Sequence, residues 1–158
     1  MTPCAHHPSL PSRRHVLAGA AGVIASVILR PASAAAGDLA VVLAAYTKGA
    51  PVRAGKVKLD VAELVDNGNV VPITVTVDSP MTAADHVKSI AVFNEKNPQR
   101  DVARFTLGPR AGKADASTRI RLATSQQLVA IAQMSDGNYW SHTVDVIVTL
   151  AACIEGDA

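Results

Sequence analysis

Apolar and polar residues alternate with a period of two along much of the chain. Between residues 71 and 77, Ile73, Val75 and Val77 fall on one side of an extended backbone, and threonines fall on the other. This alternation is typical of a strand with one face buried and the other in water. The pattern predicts strands at 57–61, 71–77, 87–93, 102–107, 117–123, 128–134 and 140–150.

Short polar turns separate many of these strands. The turn sequences are Asp66-Asn67-Gly68-Asn69, Asp78-Ser79-Pro80, Asn97-Pro98, Gly108-Pro109 and Asp136-Gly137-Asn138. Glycine, proline, asparagine and aspartate favour turns of this kind. About seven short strands at this spacing predict an all-β fold, an immunoglobulin-like antiparallel β-sandwich.

One segment ahead of the strands has a helical pattern instead. Between residues 38 and 48, apolar side chains recur at steps of three and four, at Leu39, Val42, Leu43 and Tyr46. Asp38 is the expected N-cap, and Gly49 ends the pattern. The sequence therefore predicts a short N-terminal helix.

The first 36 residues have the composition of an export signal. They contain no Asp or Glu, and Arg13-Arg14 precedes an apolar run from 18 to 29. Paired arginines before a mildly hydrophobic run resemble a twin-arginine signal, and Ala34 and Ala36 offer small-residue cleavage sites. The run is shorter than the roughly 20 residues of a spanning helix. We expect residues 1–36 to be removed, which predicts a periplasmic protein with no stable membrane anchor.

Removal of this leader changes the charge of the chain. It leaves 122 of the 158 residues, and Lys plus Arg falls from 15 to 12 while Asp plus Glu stays at 13. The mature net charge is near −1, and no dense basic stripe remains for nucleic acid. We expect a helix and linker at 37–55, the sandwich at 56–150 and a tail at 151–158.

The cysteines point to the candidate functional residue. The sequence has two, and Cys4 lies in the expected leader. Cys153, on the tail beyond the last predicted strand, then has no partner for an internal disulfide. A lone cysteine in an exported protein indicates pairing with another molecule or a free working thiol.

The remaining residues offer little further chemistry. Outside the leader only two histidines remain, His86 and His142, on separate predicted strands. Structural zinc needs four ligands, so we expect two surface or interface histidines, with no metal and no cofactor. Trp140, the only tryptophan, is expected to fill the core or anchor an interface.

The surroundings of Cys153 favour a carrier over a thiol enzyme. Glu155 and Asp157 place negative charge near the thiol, which disfavours the reactive thiolate. His142 lies about 35 Å away along a straight strand, so the sequence offers no obvious general base. A carrier needs none, because the active site of a partner can activate the thiol. The alternative is that Cys153 is incidental and only forms a disulfide-linked dimer on oxidation.

Several strings along the chain resemble the SoxY family, the sulfur-carrier proteins of the periplasmic sulfur-oxidation system. These strings are Lys56 to Asp60, Glu63 to Pro72, Val77 to Thr82, Val87 to Ile90, Asn94 to Pro98, Ser117 to Thr124 and Met134 to Gly137. Together they span most of the expected sandwich.

The resemblance implies a specific role. SoxY-like proteins are immunoglobulin-like sandwiches that pair with a second small β protein, SoxZ. They hold thiosulfate-derived sulfur covalently on a cysteine of the C-terminal arm, here Cys153. A c-type cytochrome attaches the substrate, a hydrolase releases sulfate, and a sulfane dehydrogenase oxidises the remaining sulfur. The resemblance therefore implies a substrate carrier without catalytic residues, whose partners do the catalysis.

The tail departs from the family pattern. The usual ending is Gly-Gly-Cys-Gly-Gly, whereas Cys153 stands between Ala152 and Ile154. Glycine leaves a narrow channel open because it has no side chain. The alternative function is a non-catalytic binding or assembly module of a sulfur-oxidation complex whose tail cysteine is not a carrier site.

Overall fold

The computed structural model describes residues 36–152. Most of the expected leader and the tail from Cys153 onward lie outside these residues. The described elements are α1 (Ala36–Thr47), β1 (Val52–Ala54), β2 (Val57–Asp60), β3 (Leu64–Val65), β4 (Val71–Val77), β5 (Val87–Asn94), β6 (Asp101–Thr106), a 3-10 turn (Pro109–Ala111), β7 (Asp115–Ile120), β8 (Gln126–Met134) and β9 (Tyr139–Val148).

The strands form two sheets. The larger sheet has the order β1-β9-β8-β5-β6, with β3 also pairing with β9, and the smaller has the order β2-β4-β7. The long neighbours pair antiparallel, as in the register of Val71 with Ile120 between β4 and β7. This arrangement is the immunoglobulin-like sandwich that the alternation predicts.

A continuous apolar core lies between the two sheets. The inward residues of β4 alternate strictly with its outward threonines, so that Val71, Ile73, Val75 and Val77 are buried. Facing strands contribute Val87, Ile90, Leu128 and others to the same cluster. No disulfide crosses this core among the described residues, so side-chain packing joins the sheets.

A second, smaller core lies on the outer face of the larger sheet. Leu39 of α1 packs there against Ala91, Phe93, Val129, Ile131 and Tyr139 of β5, β8 and β9. Strands β5 and β8 are therefore buried on both faces along most of their length. Helix α1 therefore covers central strands of the larger sheet, whose outward side chains are apolar.

The seven predicted strands are confirmed, with ends that differ by no more than three residues. The predicted helix is also confirmed, although it begins at Ala36, so Asp38 lies inside its first turn and not at the N-cap. The helix ends at Thr47, and Gly49 just beyond it adopts φ +76° and donates to the Ala44 carbonyl at 2.9 Å.

Strands β1 and β3 were not predicted, and both pair parallel to β9. Val52 lies opposite Tyr139 at one end of β9, and Leu64 lies opposite Ile147 at the other. Three and two residues are too few for a period to be read. Together they cover much of an edge that β9 would otherwise expose.

No helix in the described part of the chain has the length and apolar content to cross a membrane.

Candidate functional site: the base of the C-terminal tail

The candidate residue Cys153 lies one position beyond the described residues. The structure follows the chain from the end of β9 to Ala152, and we call residues 149–152 the tail base. The geometry of the site is therefore the geometry of the backbone that leads directly to the cysteine.

The segment around β3 fixes the start of the tail base. The Ile147 amide donates to the Glu63 carbonyl at 2.7 Å, and the Thr149 amide donates to the Val65 carbonyl at 3.0 Å. The Thr149 hydroxyl adds a bond to the Asp66 carbonyl at 3.1 Å. Strand pairing thus continues past the end of β9 and into the tail.

Three further backbone bonds hold the rest of the tail base. The Gly68 amide donates to the Leu150 carbonyl at 2.8 Å, and the Gly68 carbonyl accepts from the Leu122 amide at 2.8 Å. The Leu122 carbonyl then accepts from the Ala152 amide at 3.1 Å. We call these three bonds the tail clamp. As a result Ala152, the residue before the cysteine, is only 7% exposed.

Gly68 is at a position where no side chain fits. A Cβ there would lie 2.3 Å from the Leu122 carbonyl oxygen and 3.0 Å from the Ala152 amide nitrogen. Both are backbone atoms, which a rotamer change cannot move. Gly68 is not among the described glycines with positive φ, so its requirement is close approach and not an unusual backbone conformation.

A polar network supports the loop that carries Leu122. The Asn97 side-chain oxygen accepts from the Ala123 amide at 3.0 Å and from Gln126 Nε2 at 2.6 Å. The Asn97 side-chain nitrogen donates to the Arg121 carbonyl at 2.8 Å. Gln126 is buried, and its Oε1 accepts from the Lys96 amide at 2.8 Å. The loop is thereby fixed on both sides of Leu122.

The same loop also holds the end of β9. The Val148 amide donates to the Ser125 hydroxyl oxygen at 2.8 Å. The loop from Arg121 to Gln126 therefore contacts the strand that leads into the tail and, through Leu122, the last described residue of the tail.

The tail base supplies position and not acid–base chemistry. The bonds that the described residues make to Leu150 and Ala152 come from backbone groups. Within residues 36–152, no three His, Cys, Asp or Glu side chains come together as a metal site would require.

The histidines have structural contacts away from the tail base. His142 Nδ1 accepts from the Leu59 amide at 3.2 Å, which links β9 to β2 in the other sheet. The ring of His86 contacts the Thr82 carbonyl at 3.1 Å within a turn. Both have the surface or interface positions that the sequence predicts.

Trp140 and Asp136 also have local roles. Trp140 is half-buried against the main core, with Lys56 Nζ 5.4 Å and the Arg53 guanidinium 5.9 Å from its ring centroid. Backbone and side-chain hydrogen bonds from Asn138 lower the pKa of Asp136 in the β8–β9 turn. Neither residue lies in the tail clamp.

Sequence reasoning placed Gly68 and Asn97 in turns and assigned no role to Gln126. Gly68 and Asn97 also lie inside two of the strings that resemble SoxY, Glu63 to Pro72 and Asn94 to Pro98. The bonds from Gly68 to the tail base and to Leu122 join residues that are at least 54 positions apart in the sequence. No local pattern indicates such contacts.

Comparison with solved structures places this architecture among known ones. The chain is similar to the sulfur carrier protein SoxY from Chlorobium limicola f thiosulfatophilum, with 28% identity and a TM-score of 0.62. That match covers 73% of this chain and 99% of the other.

Superoxide reductases resemble the chain in fold alone. Neelaredoxin from Ignicoccus hospitalis is 19% identical with a TM-score of 0.54, and the match covers 60% of this chain and 80% of that one. A putative superoxide reductase from Thermotoga maritima is 22% identical with a TM-score of 0.51, over 65% and 89% of the two chains. At identities of 19% and 22%, these matches show a shared fold and nothing more.

A family model decides between these resemblances. No curated protein matches the chain. The model described as "Sulfur oxidation protein SoxY" matches residues 43–153, which is more than two thirds of the sequence and includes the tail clamp. The chain therefore belongs to the SoxY family, the carrier proteins of sulfur oxidation.

Proposed function

We propose that this protein holds thiosulfate-derived sulfur covalently on Cys153 in the periplasm and presents it to partner enzymes. The observation that carries the proposal is the extent of the family match, which runs from residue 43 to residue 153 and so ends at the cysteine. The tail base supports it, because the backbone up to Ala152, the residue before the cysteine, is hydrogen-bonded to the sandwich.

The proposed chemistry requires an external oxidant. The Cys153 thiolate and thiosulfate form a new S–S bond, giving a cysteine S-thiosulfonate and releasing two electrons. A c-type cytochrome partner accepts those electrons. Water then attacks the terminal sulfonate sulfur in the active site of a hydrolase, which releases sulfate and two protons and leaves a cysteine persulfide. In a sulfane dehydrogenase, three water molecules then supply oxygen to the outer sulfur of the persulfide. The dehydrogenase accepts six electrons, six protons are released, and a cysteine S-sulfonate remains for a further hydrolysis that frees the thiol.

The described residues fit a role in which partners supply the catalytic groups. Backbone amides and carbonyls hold the tail base, and the histidines have structural contacts elsewhere. Sulfur attachment needs a thiolate, and a free thiol is mostly protonated at neutral pH. A partner active site that favours the thiolate would therefore be required at the attachment step.

The complex would also contain a SoxZ-like β-sandwich protein. Open sheet edges are where a second β domain can add. Strands β1 and β6 end the larger sheet, and β2 and β7 end the smaller one. These strands are the candidate sites for that partner, and α1 is not, since it covers central strands of the larger sheet.

An intact-mass measurement tests the carrier function. The full chain with Cys4→Ala, which leaves Cys153 as its single cysteine, is incubated with a SoxZ-like partner, the cytochrome partner and thiosulfate. We expect a mass increase equal to one covalently attached thiosulfate, and no increase in the Cys4→Ala/Cys153→Ala control. Equal masses for the two variants after oxidation by an active cytochrome would contradict the proposal.

The periplasmic location is a separate part of the proposal, and the leader supports it. Replacing Arg13 and Arg14 together by lysine should keep the protein in the cytoplasm at its precursor mass. The unchanged leader should yield a periplasmic protein shortened at or near residue 36. Export of the double-lysine variant in a strain without the twin-arginine pathway would contradict this route.

A second candidate function is a non-catalytic assembly module. The departure of residues 151–158 from the usual glycine-rich ending favours it. A strain whose only copy carries Cys153→Ser decides between the two. Loss of thiosulfate oxidation supports the carrier, whereas normal oxidation supports the assembly module.

A further inference from the structure

The two sheets end in four strands, and the chain itself closes two of these edges. Strand β2 has two amides that point away from β4. The Val57 amide donates to the Gly55 carbonyl at 2.6 Å, and the Leu59 amide donates to His142 Nδ1 at 3.2 Å. Strand β1 has three residues, and edge strands this short protect a sheet from further pairing. The side of the sandwich with β1 and β2 is therefore closed.

The opposite side of the sandwich, formed by β6 and β7, has an unpaired edge in each sheet. The Leu107 amide donates to the Lys88 carbonyl at 2.9 Å, which sets the alternation of bonds along β5 and β6. By this alternation the amides and carbonyls of Arg104 and Thr106 point away from β5. Among the described strands, β6 pairs with β5 only, so these backbone groups are free to bond another strand.

The side chains of β6 also leave the main core incompletely covered. Val102, Ala103 and Phe105 pack against the core but are only partly buried. On β7, by contrast, the core-facing side chains of Ala116 and Ile120 are buried. A strand added beside β6 would therefore remove more apolar surface from water than a strand added beside β7.

The basic residue of β6 does not guard this edge. Charged side chains often protect an edge strand from pairing. The Arg104 guanidinium bonds the Asp101 carboxylate at 2.6 Å and lies 5.1 Å from the ring centroid of Tyr46. Since Tyr46 belongs to α1, these contacts direct the charge of Arg104 over the outer face of the sheet and away from its edge.

A register shift limits the length of β6 that can pair. The ladder between β5 and β6 shifts between Val92 and Phe93, opposite the start of β6. Irregularities of this kind interrupt pairing and twist an edge. The regular edge therefore runs from Ala103 to Leu107.

We propose that β6 is the edge at which the partner β protein adds an extended strand, so that the larger sheet continues into the partner. This inference deepens the proposed function and rests on it for the identity of the partner. The partner strand is short, its backbone pairs with Arg104 and Thr106, and its core-facing side chains are apolar because they cover Phe105.

Hydrogen exchange of backbone amides tests this edge without altering it. The full chain is measured alone and in complex with the SoxZ-like protein. The amides of Arg104 and Thr106 should exchange about tenfold or more slowly in the complex, because they gain hydrogen bonds there. The Leu59 amide, which is already bonded to His142, should keep its rate.

Two results of this measurement would overturn the proposal. One is equal exchange at Arg104 and Thr106 in the free chain and in a complex that stays intact on size-exclusion chromatography. The other is protection of the same amides in the free chain that grows with its concentration, since a second copy would then occupy the edge.

A pair of proline variants compares β6 with β7. Thr106→Pro and Ser117→Pro are both at exposed residues whose amides point away from the neighbouring strand. Proline removes the donor and places its ring in the way of an added strand. Thr106→Pro should weaken the complex about tenfold or more, and Ser117→Pro should change its Kd by less than about twofold.

Isothermal titration calorimetry measures both affinities, and urea denaturation shows that each variant is folded. A larger loss of affinity in Ser117→Pro than in Thr106→Pro would overturn the assignment to β6 in favour of β7. If Thr106→Pro does not fold, the exchange measurement on the unaltered chain still decides.

The outcomes also separate this inference from the proposed carrier function. Neither measurement involves sulfur transfer. A complex that protects Arg104 and Thr106 but forms no thiosulfate adduct would overturn the carrier function alone. An adduct formed in a complex without protection at these two amides would overturn the assignment of the edge alone.

Discussion

The two ends of the described chain are attached to the sandwich by different kinds of interaction. At the N-terminal end, α1 packs side chains such as Leu39 and Tyr46 onto Phe93, Ile131 and Tyr139. At the C-terminal end, the tail base is held by backbone bonds to Gly68, Leu122 and the β3 segment. The helix is held by its side chains, whereas the tail base can be held only because Gly68 has no side chain.

This difference affects what each end can do. Apolar packing is spread over many contacts, so a helix held that way is stable but placed only to the precision of its side chains. Backbone bonds of 2.7–3.1 Å fix the exact path of the chain. The more precise attachment is the one that leads to the proposed sulfur-bearing residue.

The largest expected effect is at the helix end. Phe93 is fully buried, and its ring centroid lies 5.3 Å from that of Tyr46. Phe93→Ala should lower the free energy of unfolding by about 4 kcal/mol, because it removes a buried ring and leaves a cavity. Urea denaturation measures the loss. The control is Val41→Ala on α1, where the side chain is 67% exposed, and this change should alter the free energy of unfolding by less than about 0.5 kcal/mol.

The Phe93→Ala variant also tests whether the attachments of the two ends are independent of each other. If the tail clamp is independent of α1, hydrogen exchange of the Ala152 amide should be unchanged in native Phe93→Ala. Faster exchange of that amide under native conditions would show that the two attachments are coupled through β5 and β8.

The next effect is at the tail base. Asn97→Ala removes the side-chain bonds to the Ala123 amide, Gln126 Nε2 and the Arg121 carbonyl. We expect a loss of about 2 kcal/mol in the free energy of unfolding, since buried Gln126 loses a partner. Hydrogen exchange at Ala152 should also accelerate, which Phe93→Ala should not cause below the global unfolding limit.

Asn69→Ala is the control for this prediction. Its side-chain nitrogen donates to the neighbouring Asn67 at 3.0 Å in an exposed turn, so its removal should cost less than about 0.5 kcal/mol. Equal stability losses for the two asparagine variants would show that the polar network does not support the loop.

The same contrast explains how much the sequence could predict. Strand β4 was predicted with both of its ends, because one face is buried and the other is in water, which gives a clear period of two. The packing face of α1 was also predicted from its spacing. Both are properties of neighbouring residues, which a short window of sequence contains.

The tail clamp could not be predicted in this way. Gly68 was assigned to a turn, and its second property, contact with backbone at Leu122 and Ala152, depends on how three distant segments meet. Strand β3 has two residues and no readable period. Cys153 was identified from the number of cysteines and from the family resemblance, and its role remains a prediction.

The smallest expected effect is a pH dependence at the helix end that the tail base should lack. Burial is the main cause that raises the pKa of Tyr46 above 10.0, against a hydrogen bond with Ser89 and the charge of Arg104, which lower it. As the pH rises past 10, the unfolded chain loses this phenol proton first, so the stability falls. In Tyr46→Phe the free energy of unfolding should fall less steeply with pH. The difference between the two proteins should be well under about 1 kcal/mol, because the ring is only partly buried. Urea denaturation from neutral to alkaline pH gives both curves, and the other groups that titrate in this range are the same in both proteins. Parallel curves would therefore mean that Tyr46 is no more buried in the folded protein than in the unfolded one, which would contradict the packing of α1 on the sheet.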